Sequence, residues 1–408
     1  MSLGTNFARI AGCIKPLENT QLDIMLGLNP LNMNNVKIVG ITNYDYRAEF
    51  GSQSPLAPNK VSELIDLIGQ GKPELIVVDL DTSDPRFKQM TMPKVSCPII
   101  WGRTARDEDS FTNSKHFGLA NGVKTANKTV PIFTLDPVLG QSNPPPDIKS
   151  GVAQIPVDAD GVVRNYYRRF SVRGSDGDTV VGSLPWIAAT EVNPELINKH
   201  TRADTVPLLY VSDPDQLSRI SCADLRRVAS KPAWKEVAQA KVVVLGGYYG
   251  AARDDFATPV GRMWGADLVA QAIDGELQKR MKQDAPLWLI ILCQVGTGMF
   301  LAFLNCRFPS GIVACGGFLL IPVLSLGVGA MLLQTCSLWA DFMPVLLVIQ
   351  GQAFWNHLKT YQKMEIELKK LNAEKVGEKV GEKIAKADVA ADKQAEPKTD
   401  ADAGEPKN

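Results

Sequence analysis

Apolar residues are spread unevenly along the 408-residue chain. Between residues 17 and 284, short apolar segments alternate with polar ones, as in a water-soluble globular domain. Residues 285–355 are almost wholly apolar, whereas residues 356–408 are polar and charged. The pattern therefore predicts a globular domain, a membrane segment and a charged tail.

Within the globular domain, strand-like and helix-like segments alternate. Continuous apolar runs of the kind buried in parallel sheets predict strands at Val36–Thr42, Leu75–Leu80, Pro98–Trp101 and Lys241–Leu245. A spacing of three to four predicts helices at Asn59–Ile68, Leu184–Val192 and Leu268–Leu277, and alternation predicts a hairpin strand at Val162–Val172. We therefore expect an α/β fold with a mixed, largely parallel sheet and flanking helices.

The apolar region divides into three runs, Ala285–Leu304, Gly311–Leu333 and Leu338–Trp355. About 20 apolar residues are enough to cross the hydrocarbon core of a bilayer as a helix. The runs therefore predict three transmembrane helices in contact with lipid. Two polar residues within them, Gln294 and Asp341, are candidate functional positions, with a helix–helix hydrogen bond and a solvated helix end as the alternatives.

The distribution of lysine and arginine predicts the orientation. Arg307 lies between the first two runs and many lysines follow the third, but the second linker has no positive charge. By the positive-inside rule, the tail is cytoplasmic and the globular domain is extracytoplasmic in a multi-pass protein of the inner (plasma) membrane. The basic cluster at Lys279–Lys282 argues for the opposite orientation.

Composition excludes several classes of protein. The 44 basic and 44 acidic residues give no net charge, which argues against a nucleic-acid partner. The seven cysteines form no C-x-x-C pair, and the three histidines are isolated from them, so we predict no bound metal and no cofactor.

Acidic residues follow several of the predicted strands. Ligands bind at the carboxyl ends of parallel strands. The candidate ligand-binding residues are therefore Asp45, Asp79, Asp81 and Asp255. Asp254 lies directly before Asp255. The alternative is that they cap helices and turns, for which aspartate is well suited. The sequence contains no nucleophile elbow, phosphate-binding loop or zinc-binding helix, so we predict that the chain is not an enzyme.

Two motifs resemble those of the CHASE type 2 sensor domain. One runs from Gly151 through Asp158, Asp160, Gly161 and Arg164, and the other comprises Gly246, Gly247, Asp255, Thr258, Pro259, Gly261 and Gly265. The resemblance covers about Leu17–Gln278 and implies an extracytoplasmic sensor domain that is followed by three membrane spans. Val269 departs from it, because many members have histidine there.

The resemblance also implies a span before the domain and a kinase or cyclase after the membrane unit. We therefore expect residues 1–16 to be the remnant of a missing membrane or signal segment. Residues 356–408 contain no kinase or cyclase.

Local chemistry explains parts of both motifs without a ligand. Asp160-Gly161 supplies a turn with positive φ, and Arg164 can pair with Asp158. Asp255 could cap the turn at Thr258-Pro259.

The tail begins with a charged helix, predicted at residues 356–386, and residues 387–408 have a composition typical of disorder. Leu358, Tyr361, Leu368 and Leu371 lie on one face of this helix. We therefore predict that the chain binds a protein partner, or forms a homo-oligomer, through the membrane helices and residues 356–371.

The sequence as a whole predicts a membrane-anchored sensor or scaffold module that has no enzymatic output and acts through partner proteins. One alternative is a structural subunit of an envelope or membrane-associated assembly. A membrane-anchored, carboxylate-dependent hydrolase is the other. The sequence does not identify a small-molecule ligand.

Overall fold

The computed structural model describes most of the globular domain and part of the tail. The described residues are 19–20, 22–24, 26–27, 30–107, 123–125, 128–130, 133–174, 177–199, 204–239, 241–280, 283–284, 292, 295–296, 299, 303, 338–339, 358–377, 379–381 and 383. The chain divides into two compact units, residues 1–290 with 324–341 and residues 291–323 with 342–408.

The first unit contains a six-stranded, wholly parallel sheet. Its strands, from one edge to the other, are β13 (Arg219–Ser221), β1 (Val36–Thr42), β14 (Val242–Tyr248), β2 (Leu75–Asp79), β3 (Ile99–Arg103) and β8 (Lys149–Val152). β14 is buried along its whole length, since it lies between β1 and β2 and has helices on both faces. This burial explains its unbroken apolar sequence.

Seven helices of the first unit are described: α1 (Asn43–Ala48), α2 (Pro58–Gly69), α3 (Leu184–Val192), α4 (Glu195–Lys199), α5 (Cys222–Val228), α6 (Pro232–Ala238) and α7 (Gly265–Leu277). The apolar face of α2 packs with α5 and α6 on one side of the sheet, around Val39, Val243 and Trp101. α7 and α3 cover the other side, around Ile38, Val77 and Val244. The domain is therefore a three-layer α/β structure.

A second sheet has the order β11 (Gly177–Gly182), β10 (Arg169–Gly174), β7 (Phe133–Leu135) and β4 (Ala105–Asp107) and is mixed. The remaining strands pair two by two: β9 (Asn165–Tyr167) with β12 (Thr205–Pro207), β15 (Asp255–Thr258) with β16 (Gly261–Trp264), β5 (Val123–Thr125) with β6 (Lys128–Val130), and β17 (Gln283–Asp284) with β18 (Leu338–Trp339).

The predicted α/β class with a largely parallel sheet is confirmed, and β1, β2, α2 and α3 lie within two residues of their predicted bounds. The single strand predicted at Val162–Val172 is wrong, because Arg168 separates β9 from β10 and the two strands join different sheets. β13, α5 and α6 were not predicted, since their apolar segments are short.

The three predicted transmembrane helices fall on residues 285–355, almost all of which lie outside the described residues. Among the residues that are described, no helix is both long enough and apolar enough to cross a membrane. In the second unit, residues 358–377 are helical, in agreement with the helix predicted at the start of the tail. Residues 387–408 also lie outside the described part of the chain.

Candidate functional site

Two aspartates lie close together at the carboxyl edge of the parallel sheet. Asp79 ends β2 and stands opposite Gly246 of β14, while Asp254 immediately precedes β15 and accepts a hydrogen bond from the backbone N–H of Gly265. Burial, and then the negative charge of Asp254, raise the pKa of Asp79 well above its usual range. Burial raises the pKa of Asp254 to about 6, with a further contribution from the charge of Asp267. We call Asp79 and Asp254 the carboxyl pair.

Two motif glycines allow the first turn of α7 to approach this pair. A Cβ atom on Gly265 would collide with the Asp254 carboxylate, and one on Gly246 would collide with the Cβ of Ala266. The strand predicted at Lys241–Leu245 ends before Gly246-Gly247. In the structure both residues are still part of β14, and Gly246 is needed for close packing of the helix on the sheet.

A second buried carboxylate lies in the first turn of α7. Asp267 is fully buried and forms two hydrogen bonds of 2.8 Å with the guanidinium of Arg219, which is on β13. The Tyr248 hydroxyl donates to the same carboxylate at 2.6 Å, and burial and this negative charge raise the pKa of Tyr248. None of these three residues was a candidate from the sequence, because β13 was not predicted and the predicted bounds of β14 and α7 leave out Tyr248 and Asp267.

Further polar residues continue along α7 from Asp267. Gln271 accepts a hydrogen bond from the backbone of Val211 at 2.7 Å. Asp274 accepts from the backbone N–H groups of Asn34 and Asn35 at 3.0 and 2.8 Å. Gln278, just beyond the helix, donates to the carbonyl of Asn32 at 2.6 Å. The spacing of four, three and four places these side chains on one face, which we call the polar stripe.

The end of α7 also holds a buried ion pair. Glu276 contacts the Arg168 guanidinium at 2.7 and 3.0 Å, and the Tyr166 hydroxyl donates to the same carboxylate. The Arg168 guanidinium lies 4.8 Å from the ring centre of Trp186 on α3. Both charged side chains are at most 2% exposed, so each depends on the other for its stability in the core.

A small cavity lies beside this ion pair, with room for about one water molecule. Its lining includes Gln154, Tyr166, Ser183 and Val269. The Oε1 atom of Gln154 is buried, and no residue in the described part of the chain donates a hydrogen bond to it. Val269, the position at which the sequence departs from the resemblance, therefore faces this cavity rather than the carboxyl pair.

The other three candidate aspartates have local partners. Asp45 caps α1, accepting from the backbone and hydroxyl of Thr42 at 2.9 and 2.8 Å, and it also accepts from Ala223 at 3.1 Å. Asp81 accepts from the backbone of Ser83 at 2.9 Å. Asp255 is exposed and pairs with Arg262 across the β15–β16 hairpin at 2.6 Å. Of the four candidates, only Asp79 belongs to the carboxyl pair.

The first family motif forms a cluster around a single arginine. Arg164 is 3% exposed and contacts Asp23 at 2.6 Å, Asp158 at 3.0 Å and Asp160 at 2.9 Å. Burial alone would lower the pKa of Arg164, but the three carboxylates raise it above its usual range. The predicted Arg164–Asp158 pair is present, and Gly161 has the predicted positive φ, at 84°. The motif thus holds the N-terminal segment against the domain.

The second motif closes the β15–β16 turn. The Thr258 hydroxyl donates to the carbonyl of Gly261 at 2.6 Å and accepts from the backbone of Val260 at 3.4 Å, so the turn is closed across Pro259. The prediction that Asp255 caps this turn is wrong, since its carboxylate is bound to Arg262. Gln294 and Asp341 lie outside the described residues. No group of three or more metal-ligating side chains occurs where the structure describes the chain.

The fold and this site define an α/β domain in which one buried helix, α7, runs from the carboxyl edge of the parallel sheet to the C-terminal end of the domain. The family model of the CHASE2 domain matches residues 2–304, and the chain belongs to this family. CHASE2 domains are sensory domains. The match extends beyond the resemblance at both ends and includes the first apolar run, Ala285–Leu304. No curated protein and no solved structure matches the chain.

Proposed function

We propose that this chain is a membrane-anchored, extracytoplasmic sensor module that acts through partner proteins and has no catalytic output of its own. Membership of a sensory family supports the sensing role. The three apolar runs support membrane anchoring, and the position of Arg307 and the tail lysines supports the orientation.

The observation that carries the proposal is the position of α7. Its first turn packs against the carboxyl pair through Gly265, and Leu277 ends the helix shortly before the first apolar run begins at Ala285. Every residue from Gly265 to Glu276 is buried, and the polar stripe connects the helix to β13 and to the segment before β1. A stimulus that displaces the first turn would therefore displace the helix that leads to the membrane segment.

The chemistry of the acidic residues supports a non-catalytic role. A carboxylate-dependent hydrolase needs carboxylates that are free to hold a metal ion or a water molecule. Asp45, Asp81 and Asp255 are instead engaged in a cap, a turn and a hairpin ion pair. Burial raises the pKa of both members of the carboxyl pair and so favours their protonated form.

The topology can be tested by labelling intact cells with a membrane-impermeant maleimide. One single variant introduces a cysteine at the exposed residue Asp215, and another introduces one at the exposed tail residue Lys370. We expect Asp215→Cys to be labelled in intact cells and Lys370→Cys only after lysis, both measured against the unmodified chain with its seven native cysteines. Labelling of the tail in intact cells, or equal protection of both sites, would contradict the proposed orientation.

A further inference from the structure

The helix at residues 358–377 has an apolar face that is exposed. All 20 residues are exposed, and the helix carries Tyr361, Met364, Leu368 and Leu371 with exposed fractions of 62%, 51%, 62% and 56%. These four positions are spaced three, four and three residues apart, which is the a/d pattern of a coiled coil. We call them the seam. Met364 belongs to it, although the sequence analysis omitted this residue.

The register of the seam is well determined. If Leu358 and Tyr361 occupied the a and d positions instead, the next two inward positions would be Glu365 and Leu368, followed by Asn372. A carboxylate and an amide would then be buried between helices without charged partners, which is costly. The register with Tyr361 and Leu368 at a, and Met364 and Leu371 at d, buries only the four seam residues.

A solvated helix of this length is marginally stable in water, and most helices gain their stability from packing of the apolar face. One ion pair within the helix, Glu365–Lys369 at 2.9 Å, adds only a few tenths of a kcal/mol because both side chains are exposed. The seam therefore requires a partner.

We propose that the seam pairs with the same seam of a second copy of this chain, in a parallel two-stranded coiled coil. This inference rests on the proposed function, because anchoring in one membrane holds the two copies in the same orientation and raises their effective concentration. It names a second copy as the partner through which the sensor module acts.

Charge at the positions beside the seam favours the parallel arrangement. In a parallel pair, each g position meets the e position of the next heptad in the partner. Glu374 then meets Lys379 of the other copy, and Glu367 meets Asn372, so no like charges are opposed. In an antiparallel pair that keeps the seam in contact, g meets g and e meets e, so Glu367 and Glu365 would each face the same glutamate of the other copy with like charge. An antiparallel pairing of identical chains is therefore disfavoured.

The seam is short, which makes the pairing conditional on anchoring. The next a position after Leu371 is Lys375, and Gly377 and Gly381 follow at positions where glycine weakens a helix. Two heptads of apolar contacts would not hold free peptides together at low concentration. The same contacts suffice for two tethered copies because association then costs less translational entropy.

The pairing can be tested by oxidative crosslinking of the full-length chain in membranes. Met364→Cys and Leu371→Cys place a thiol at a d position, whereas Lys363→Cys and Lys370→Cys place one at the neighbouring c position. We expect each d variant alone to raise the crosslinked dimer several-fold above the unmodified chain, and the c variants to leave it unchanged. A seam disruption, Leu368→Asp with Leu371→Asp, should reduce the crosslinking of Met364→Cys, whereas Ile366→Asp, which lies off the seam and is 56% exposed, should not.

Three outcomes would overturn the inference. Equal crosslinking at c and d positions would indicate random collision, and no crosslinking above the unmodified chain would exclude a second copy. Crosslinking only when Met364→Cys and Leu368→Cys chains are mixed would indicate an antiparallel pair, in which a positions face d positions. Failure of the proposed function gives a different result. A chain that is not anchored would be recovered in the soluble fraction or would fail the maleimide test, whatever its crosslinking.

Discussion

The helices α2 and α7 lie on opposite faces of the same sheet and are buried in different ways. α2 is amphipathic: Val61, Leu64, Ile65 and Ile68 face the sheet, and its polar residues face solvent apart from Ser62, which is buried and donates to the carbonyl of Thr91. α7 is buried on all sides and carries charged and amide side chains into the core, where each has a specific partner. A helix held by apolar contacts can adjust by small shifts, whereas one held by directional hydrogen bonds has a single satisfied position. We therefore assign to α7, and not to α2, the transmission of a structural change from the carboxyl pair toward the membrane segment.

The largest expected effect comes from the buried ion pair at the end of α7. Glu276→Gln replaces the buried carboxylate that contacts Arg168 with a neutral amide, and we expect the free energy of unfolding to fall by about 3–5 kcal/mol. Pulse proteolysis of the full-length chain across a urea series would measure it. Asp255→Asn, which removes one partner of the exposed pair with Arg262, should change it little. If both variants lost the same free energy of unfolding, the buried polar contacts of α7 would not differ in strength from an exposed ion pair, and the contrast with α2 would not hold.

A smaller effect should follow from the carboxyl pair. The pKa of Asp254 is about 6 in the folded protein, against an ordinary value of 3.8, so the folded state keeps a proton that the unfolded chain has released. The free energy of unfolding should therefore fall as pH rises from about 4 to about 6 and stay low above that range. Asp254→Asn should reduce this fall by on the order of 1–3 kcal/mol, and the part that remains belongs to Asp79, whose pKa burial also raises. The exposed control Asp178→Asn should keep the whole fall, and an unchanged pH profile in Asp254→Asn would contradict the burial of this carboxyl group.

The sequence alone predicts those parts of the fold that depend on apolar pattern. β1, β2 and α2 each bury a regular set of side chains, and their bounds follow from that regularity. The apolar pattern begins α7 at Leu268, three residues late, because Gly265, Ala266 and Asp267 are buried through contact with Asp254, β14 and Arg219 rather than through apolar spacing.

The candidate site was predictable in its location but not in its members. Asp79 was selected because it ends a buried strand, and that placement is correct. Between the adjacent Asp254 and Asp255, the motif pointed to Asp255, yet the chain turns Asp255 toward Arg262 and Asp254 toward α7. Local sequence does not determine which of two neighbouring carboxylates turns toward the core, since Asp254 fits there only because residue 265, eleven positions further along the chain, has no Cβ.

The most direct test of the account is hydrogen–deuterium exchange of the full-length protein at pH 5 and pH 7.5, with rates converted to protection factors. The wild-type chain should lose protection along α7 as far as Leu277 at the higher pH, while α2 stays unchanged. In the double variant Asp79→Asn/Asp254→Asn, α7 should behave alike at both values, because neither carboxyl group of the pair can ionise. If α2 and α7 lose protection together, or if the loss stops at the first turn of α7, then the helix does not carry a change from the carboxyl pair to the membrane segment.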